Sequence, residues 1–127
     1  KWKEEFSYIS GDDREQMVEL SVEGKKQIVD IGDLVKAACS MIIGKVGTAI
    51  KAIVATADPE YQPILRNNII LSGGGSLIEG IADAIANEIS DIGDVTVTCV
   101  EDPIEKVATG ALALAQDMPD EQYTAIN

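Results

Sequence analysis

The second half of the chain alternates short apolar runs with segments of helical period, and this order constrains the fold more than any other feature. The run 68–71 reads Asn-Ile-Ile-Leu, as in a strand buried on both faces. Apolar residues then recur with helical period over 77–89, the run 95–100 is rich in β-branched residues, and a second helical pattern covers 107–115. This spacing predicts parallel strands joined by a crossover helix, and therefore an α/β fold.

The first part of the chain predicts a helix end followed by a hairpin. Three apolar residues lie at helical spacing, namely Trp2, Phe6 and Ile9. They indicate the end of a helix whose first turns are absent, so we expect this chain to be cut from a longer protein. Apolar and polar side chains then alternate over residues 18–23, Gly24-Lys25 can turn the chain, and residues 27–29 can return it. That alternation is typical of a short β-hairpin.

A long helical pattern follows from Asp33, a residue suited to helix capping, to about Thr56. Gly44 and Gly47 lie inside it. Each glycine costs about 1 kcal/mol relative to alanine in a helix. The pair therefore indicates either a close approach of the helix to the sheet or a break that splits the helix in two.

Composition excludes several classes of chemistry. The chain has no histidine, so the commonest general base and nearly all catalytic zinc sites are excluded. With 22 acidic and 10 basic residues its net charge is -12, which argues against nucleic acid and anionic membranes as partners. No apolar run approaches the ~20 residues expected of a membrane span, and we expect a cytoplasmic protein. Cys39 and Cys99 are expected to be free thiols, with a disulfide as the less favoured alternative.

The segment Ser72-Gly73-Gly74-Gly75-Ser76 is the densest candidate site. It lies between an apolar strand and its helix, where open α/β sheets bind ligands and where glycine lets the backbone approach them. A strand-to-helix turn with a positive φ would need only one glycine, so three in a row favour contact with a nucleotide or phosphate. The segment is neither a P-loop nor GxGxxG, and it carries no lysine. We therefore expect it to hold a nucleoside or α-phosphate and to leave the terminal phosphates to other residues.

Two separated motifs resemble the actin superfamily. Residues 68–83 resemble its adenosine motif, and the opening Trp2-Lys3-Glu4-Glu5-Phe6 resembles the helix end whose lysine and glutamate reach the purine and ribose. Glu101-Asp102-Pro103 is similar to the MreB/MamK group of bacterial actin-like proteins. Further segments, 59–62 and 97–100, are similar to its magnetosome branch. The resemblance covers nearly the whole chain.

This resemblance implies an α/β fold that is part of an actin-like ATPase lobe, with a ribonuclease-H-like sheet and a small inserted hairpin subdomain. Residues 1–10 would end a helix of the core lobe, 11–32 would form the hairpin subdomain, 33–118 the nucleotide-binding lobe and 119–127 a polar tail. The implied function is an ATPase that uses ATP and Mg²⁺, polymerises with itself into cytoskeletal filaments, and organises magnetosomes into a chain through adaptor proteins.

The resemblance also implies site residues. Lys3 and Glu4 would contact base and ribose. The loop residues that would follow the nucleoside and α-phosphate are Gly73, Gly74, Gly75 and Ser76, and those that would pack near the adenine are Leu77 and Ile78. The phosphate hairpins of the family have no match, so we expect no catalytic or metal-binding residue in this chain and no hydrolysis by it alone. Two alternatives remain: an assembly module without nucleotide, and an unrelated α/β enzyme that binds a small anion.

Overall fold

The computed structural model describes residues 5–119 and Gln122, so the predictions for Trp2, Lys3, Glu4 and most of the tail lie outside the described residues. The strands are β1 (Met17–Val22), β2 (Lys25–Asp30), β3 (Ile69–Leu71) and β4 (Val97–Cys99). The α-helices are α1 (Gly32–Ser40), α2 (Ile43–Thr56), α3 (Gln62–Arg66), α4 (Ile81–Glu88) and α5 (Lys106–Asp117). Two short 3₁₀ helices cover Gly74–Leu77 and Ser90–Ile92.

β3 and β4 form a parallel pair, with Ile69 opposite Val97 and Leu71 opposite Cys99. Because α4 lies between them in the chain, the predicted strand, crossover helix and strand are confirmed. The expectation that β3 is buried on both faces is wrong for the described residues. Ile70 points away from the core and is 65% exposed, because the described elements cover only one face of the strand.

The core lies between α4, α2 and the parallel strands. Its buried members share one apolar cluster, formed by Ile43, Ile78, Ile81, Ile85 and Ile89. Ile81, Ile85 and Ile89 are spaced four residues apart, so they fall on one face of a helix. Burial of such a stripe is the main stabilising contribution that this part of the chain can make.

The long helical pattern is divided between two helices by a turn at Met41 and Ile42. The predicted close approach also occurs, but at a helix and not at the sheet. A Cβ atom added to Gly47 would lie 2.6 Å from Cγ of Glu88 and 3.2 Å from Cγ2 of Ile89, at the end of α4. Gly47 therefore permits α2 to pack closely on α4, which the sequence could not distinguish from packing on a strand.

The hairpin is confirmed as an antiparallel pair in which Met17 faces Asp30 and Val22 faces Lys25. Its turn is Glu23-Gly24, one residue before the predicted Gly24-Lys25. Both turn residues have positive φ, 52° and 77°, as in the type I′ turns that suit two-residue hairpin loops.

An aspartate does stabilise the start of α1, but it is Asp30 and not Asp33. Oδ1 of Asp30 accepts hydrogen bonds from the backbone N–H of Gly32 at 2.9 Å and of Gln16 at 2.8 Å. These two bonds, with Gly32 the stronger, lower the pKa of Asp30. Asp33 lies within the first turn of α1 and can favour the helix only through its charge.

The expectation that no apolar run is long enough for a membrane span is wrong for residues 32–56. This stretch of 25 residues, with a mean hydropathy of 1.6 in its most apolar window, is long and apolar enough to cross a membrane by length and composition. Core helices of soluble proteins pass the same test. Here a turn divides the stretch, and α2 buries Ile43 and Val54 within the fold.

Cys39 and Cys99 are free thiols, as predicted.

Candidate functional site

The glycine loop, residues 72–76, begins directly after β3 and is fixed by its own backbone. Gly73 has φ 84° and ψ 174°, a region that is essentially open only to glycine. The backbone N–H and the hydroxyl of Ser76 both donate to the carbonyl oxygen of Gly73, at 3.0 and 2.8 Å. The loop is therefore a defined turn whose first glycine is required for its conformation.

A second contact attaches the loop to the end of the neighbouring strand. The N–H of Gly73 donates to the carbonyl oxygen of Pro103 at 3.2 Å. The N–H of Val100 donates to the carbonyl oxygen of Leu71 at 3.0 Å. The loop thus lies at the carboxyl ends of both parallel strands. Open α/β sheets bind their ligands at this edge.

A cleft of about 350 Å³ opens beside the loop, and its lining residues are Leu77, Asp102, Pro103, Ile104 and Glu105. Leu77 is 56% exposed there. Cβ atoms added to the three loop glycines would meet nothing within 4 Å. The backbone from Gly73 to Gly75 therefore borders open space, which is the arrangement expected where a flat group passes along a glycine loop.

The charge of the cleft favours a neutral group over a phosphate. Asp102 and Glu105 lie in its wall, and no basic residue is among the lining residues that the structure describes. No described cluster of three or more His, Cys, Asp or Glu residues could hold a metal ion. This lining suits an uncharged group, and a phosphate or a metal ion would need residues other than these.

The structure brings together most of the described residues that the sequence predicted for the site. Gly73, Gly74, Gly75 and Leu77 border the loop and its cleft, and the Ser76 hydroxyl closes the loop. Ile78 lies outside this cleft, although it lines an apolar cavity that also reaches Gly75. It is 7% exposed and packs in the core cluster, because the chain becomes extended there, with φ -67° and ψ 121°, and turns inward before α4.

Sequence reasoning missed the opposite wall of the cleft. Asp102, Pro103 and Ile104 follow β4, and their position was recoverable because carboxyl ends of parallel neighbours meet at one edge of a sheet. A further apolar cavity of about 440 Å³ reaches the loop at Gly75, and its other lining residues are Val35, Ala38, Cys39, Ile42 and Ile78.

Comparisons with known proteins identify the family of the chain. The family model described as MreB/Mbl protein matches residues 5–123. The actin-like protein MamK of Paramagnetospirillum magneticum is 33% identical over 95% of this chain and 35% of its own length. The actin-like protein MamK of Magnetospirillum gryphiswaldense is 32% identical over 95% of this chain and 34% of its own length. The chain thus spans about a third of the relatives it matches.

Solved structures show the same fold. A MamK double helical filament superposes with a TM-score of 0.86 at 34% identity, over 92% of this chain and 36% of the other. A non-polymerising MamK mutant bound to AMPPNP superposes with a TM-score of 0.81 at 34% identity, over 91% of this chain and 35% of the other. The motifs, the parallel strand pair and the family match all point to the same family. The chain therefore belongs to the MreB/Mbl family and has part of its actin-like fold.

Proposed function

We propose that this chain supplies the nucleoside-binding part of an actin-like protein that binds ATP with Mg²⁺ and polymerises into filaments. The observation that carries the proposal is the glycine loop at the carboxyl ends of β3 and β4, with open space along three successive glycines. The AMPPNP-bound neighbour, which shares the fold, supports an ATP-like ligand.

Within this proposal the loop residues Gly73 to Ser76 pass the backbone along the nucleoside and α-phosphate, and Leu77 contacts the base. Lys3 and Glu4 would contact base and ribose, as the family resemblance implies. The described residues that line the acidic cleft supply no counter-charge for the terminal phosphates. Residues outside this chain would therefore hold those phosphates with Mg²⁺ and orient the attacking water in an ATPase.

The filament part of the proposal rests on the relatives. The matched neighbours include a MamK double helical filament, and we assign the same self-assembly to the complete protein here. Residues 11–32 would form a hairpin subdomain that contacts the next subunit, and 33–118 the core lobe. By the same resemblance the filaments would lie in the cytoplasm alongside magnetosomes and meet them through adaptor proteins.

The central test is to place a bulky side chain in the open space of the loop. In the complete protein, Gly74→Arg should weaken binding of a fluorescent ATP analogue by roughly tenfold or more, equivalent to at least ~1.4 kcal/mol. Far-UV circular dichroism should be unchanged, because a Cβ at Gly74 meets no neighbour. Gly44→Arg is the matched control, since that glycine in α2 is equally open and lies outside the glycine loop and its cleft.

Equal binding by Gly74→Arg and the wild type would show that the nucleotide is elsewhere. Assembly is measured separately, by light scattering and phosphate release with ATP and Mg²⁺. The proposal expects both signals to rise together. Phosphate release without scattering would favour an unrelated enzyme, and scattering that is indifferent to ATP would favour an assembly module without nucleotide.

A further inference from the structure

Glu79, which follows the glycine loop and the buried Ile78, is attached to the segment that leads into the hairpin. Its backbone N–H donates to the carbonyl oxygen of Ser7 at 3.4 Å, and its own carbonyl accepts from the N–H of Ile9 at 2.9 Å. Its carboxylate accepts two hydrogen bonds from Arg14, at 2.8 Å from Nη1 and 2.6 Å from Nη2. The segment that leaves the loop at Glu79 therefore cannot move far unless Arg14 moves with it.

Tyr8 connects Arg14 to both ends of the hairpin. The Arg14 guanidinium lies 4.9 Å from the centre of the Tyr8 ring, and the backbone N–H of Arg14 donates to the Tyr8 hydroxyl at 3.1 Å. That hydroxyl in turn donates to the carbonyl oxygen of Gly32 at 3.5 Å. Arg14 precedes β1 and Gly32 follows β2. The side chain of Tyr8 is almost fully buried, at 1% exposed, so the contact point is fixed in the fold.

We propose that Arg14 and Glu79 are positioning residues that couple the glycine loop to the hairpin, so that a nucleotide on the loop changes the mobility of residues 17–30. The inference rests on the proposed function and adds to it a route by which nucleotide state reaches a surface for assembly. We name these residues, Tyr8, Arg14 and Glu79, the loop–hairpin clamp.

A stabilising role alone does not account for the geometry of the clamp. The Arg14 and Glu79 side chains are 46% and 57% exposed, and exposed ion pairs contribute little to folding. The paired, parallel hydrogen bonds instead fix the direction of the contact. Hydrogen bonding to Arg14 lowers the pKa of Glu79, so the carboxylate stays ionised at neutral pH. A movement of the backbone at Glu79 would thus reach the base of the hairpin through the ion pair between Arg14 and Glu79.

The experiment measures backbone hydrogen exchange of residues 17–30 in the complete protein, with and without AMPPNP, at concentrations where light scattering shows no filaments. In the wild type we expect AMPPNP to slow this exchange several-fold. Glu79→Gln should still bind AMPPNP with an affinity close to that of the wild type, because Glu79 does not line the cleft. Its hairpin should no longer respond to the nucleotide.

Two further variants separate coupling from general damage. Lys26→Gln removes an ion pair of similar length, 2.7 Å from Lys26 to Glu19, that lies within the hairpin and does not reach the loop. It should keep the full response. Arg14→Glu combined with Glu79→Arg reverses the pair and should restore the response lost in Glu79→Gln.

The outcomes distinguish this inference from the proposed function. A full response in Glu79→Gln, or a reversed pair that stays unresponsive, would overturn the coupling and leave nucleotide binding intact. A wild type that binds AMPPNP without any change at residues 17–30 would do the same. A wild type that fails to bind AMPPNP would overturn both.

Discussion

At the scale of single residues, Asp30 shows how one side chain closes a loop. One carboxylate oxygen accepts the N–H groups of Gln16, before β1, and of Gly32, after β2. It therefore joins the two ends of the hairpin and the first turn of α1. By sequence alone, Asp33 is an equally good cap for α1. Which of the two aspartates caps the helix depends on the position of Gln16, and the local sequence does not encode that position.

The first prediction concerns the pH dependence of this contact. Since the folded pKa of Asp30 is below its ordinary value of 3.8, the contact stabilises fully above that pH and is lost as pH falls through the lower folded pKa. Asp30→Ala should lower the melting temperature at neutral pH, and its difference from wild type should shrink below about pH 3.8. Thermal melts followed by circular dichroism measure both effects.

Asp33→Ala provides the comparison for that experiment. It should change the melting temperature less than Asp30→Ala does, because Asp33 acts on α1 only through its charge. A larger effect from Asp33→Ala would restore the capping assignment that the sequence alone suggests. A difference between Asp30→Ala and wild type that stays constant down to about pH 2 would contradict the role given to the Asp30 charge.

At the scale of elements, the sequence predicts what depends on local periodicity and misses what depends on distant neighbours. β3, α4, β4 and the hairpin follow from the spacing of apolar residues. A break in the long helical pattern is one of two expectations, but its position at Met41 and Ile42 does not follow from the spacing. The inward position of Ile78 does not follow either, because it depends on packing against other elements. The position of the cleft wall at Pro103 is recoverable from the parallel order of β3 and β4, but the hydrogen bond from Gly73 that fixes it is not. Three consecutive glycines after an apolar strand indicate the loop itself, and the family resemblance implies its ligand.

Two glycines of α2 give the second prediction. Gly44 borders open space, so Gly44→Ala should raise the free energy of unfolding by up to about 1 kcal/mol through helix propensity. Gly47→Ala should gain less or lose stability, because the added methyl would meet Glu88 and Ile89. Gly47→Leu should cost about 1–3 kcal/mol by overpacking.

Urea unfolding of these three variants measures the differences directly. Gly44→Leu is the matched control for the larger side chain, because a Cβ atom added there meets nothing within 4 Å. If Gly47→Leu were as stable as Gly44→Leu, the close packing of α2 on α4 would be wrong.

At the scale of the whole molecule, α5 stands apart from the core. None of its described residues is buried, and its apolar side chains include Val107, Leu112 and Leu114 at 73%, 58% and 64% exposed. Several large apolar side chains exposed on one helix are typical of an element that contacts another surface. The chain matches about a third of its relatives' length, which leaves much of a complete relative to contact such a surface.

This surface gives the third prediction. The 127-residue chain expressed alone should bind the dye ANS strongly, and the double change Leu112→Glu and Leu114→Glu should reduce the fluorescence while far-UV circular dichroism is retained. The control is Ile85→Glu, which places a charge in the core at a residue that is 1% exposed and should unfold the chain. Weak dye binding by the unaltered chain would show that the α5 surface is covered.

The attachment of Gly73 to Pro103 has a consequence for the order of events during synthesis. The hairpin joins residues that leave the ribosome close together, and such contacts form fast. Gly73 emerges well before Pro103, the residue whose carbonyl holds it. A nascent chain can therefore complete its hairpin while the glycine loop is still without its anchor. The loop acquires its final shape only after β4 and Pro103 have been made, so the nucleotide binding proposed for it would wait until the parallel pair is complete.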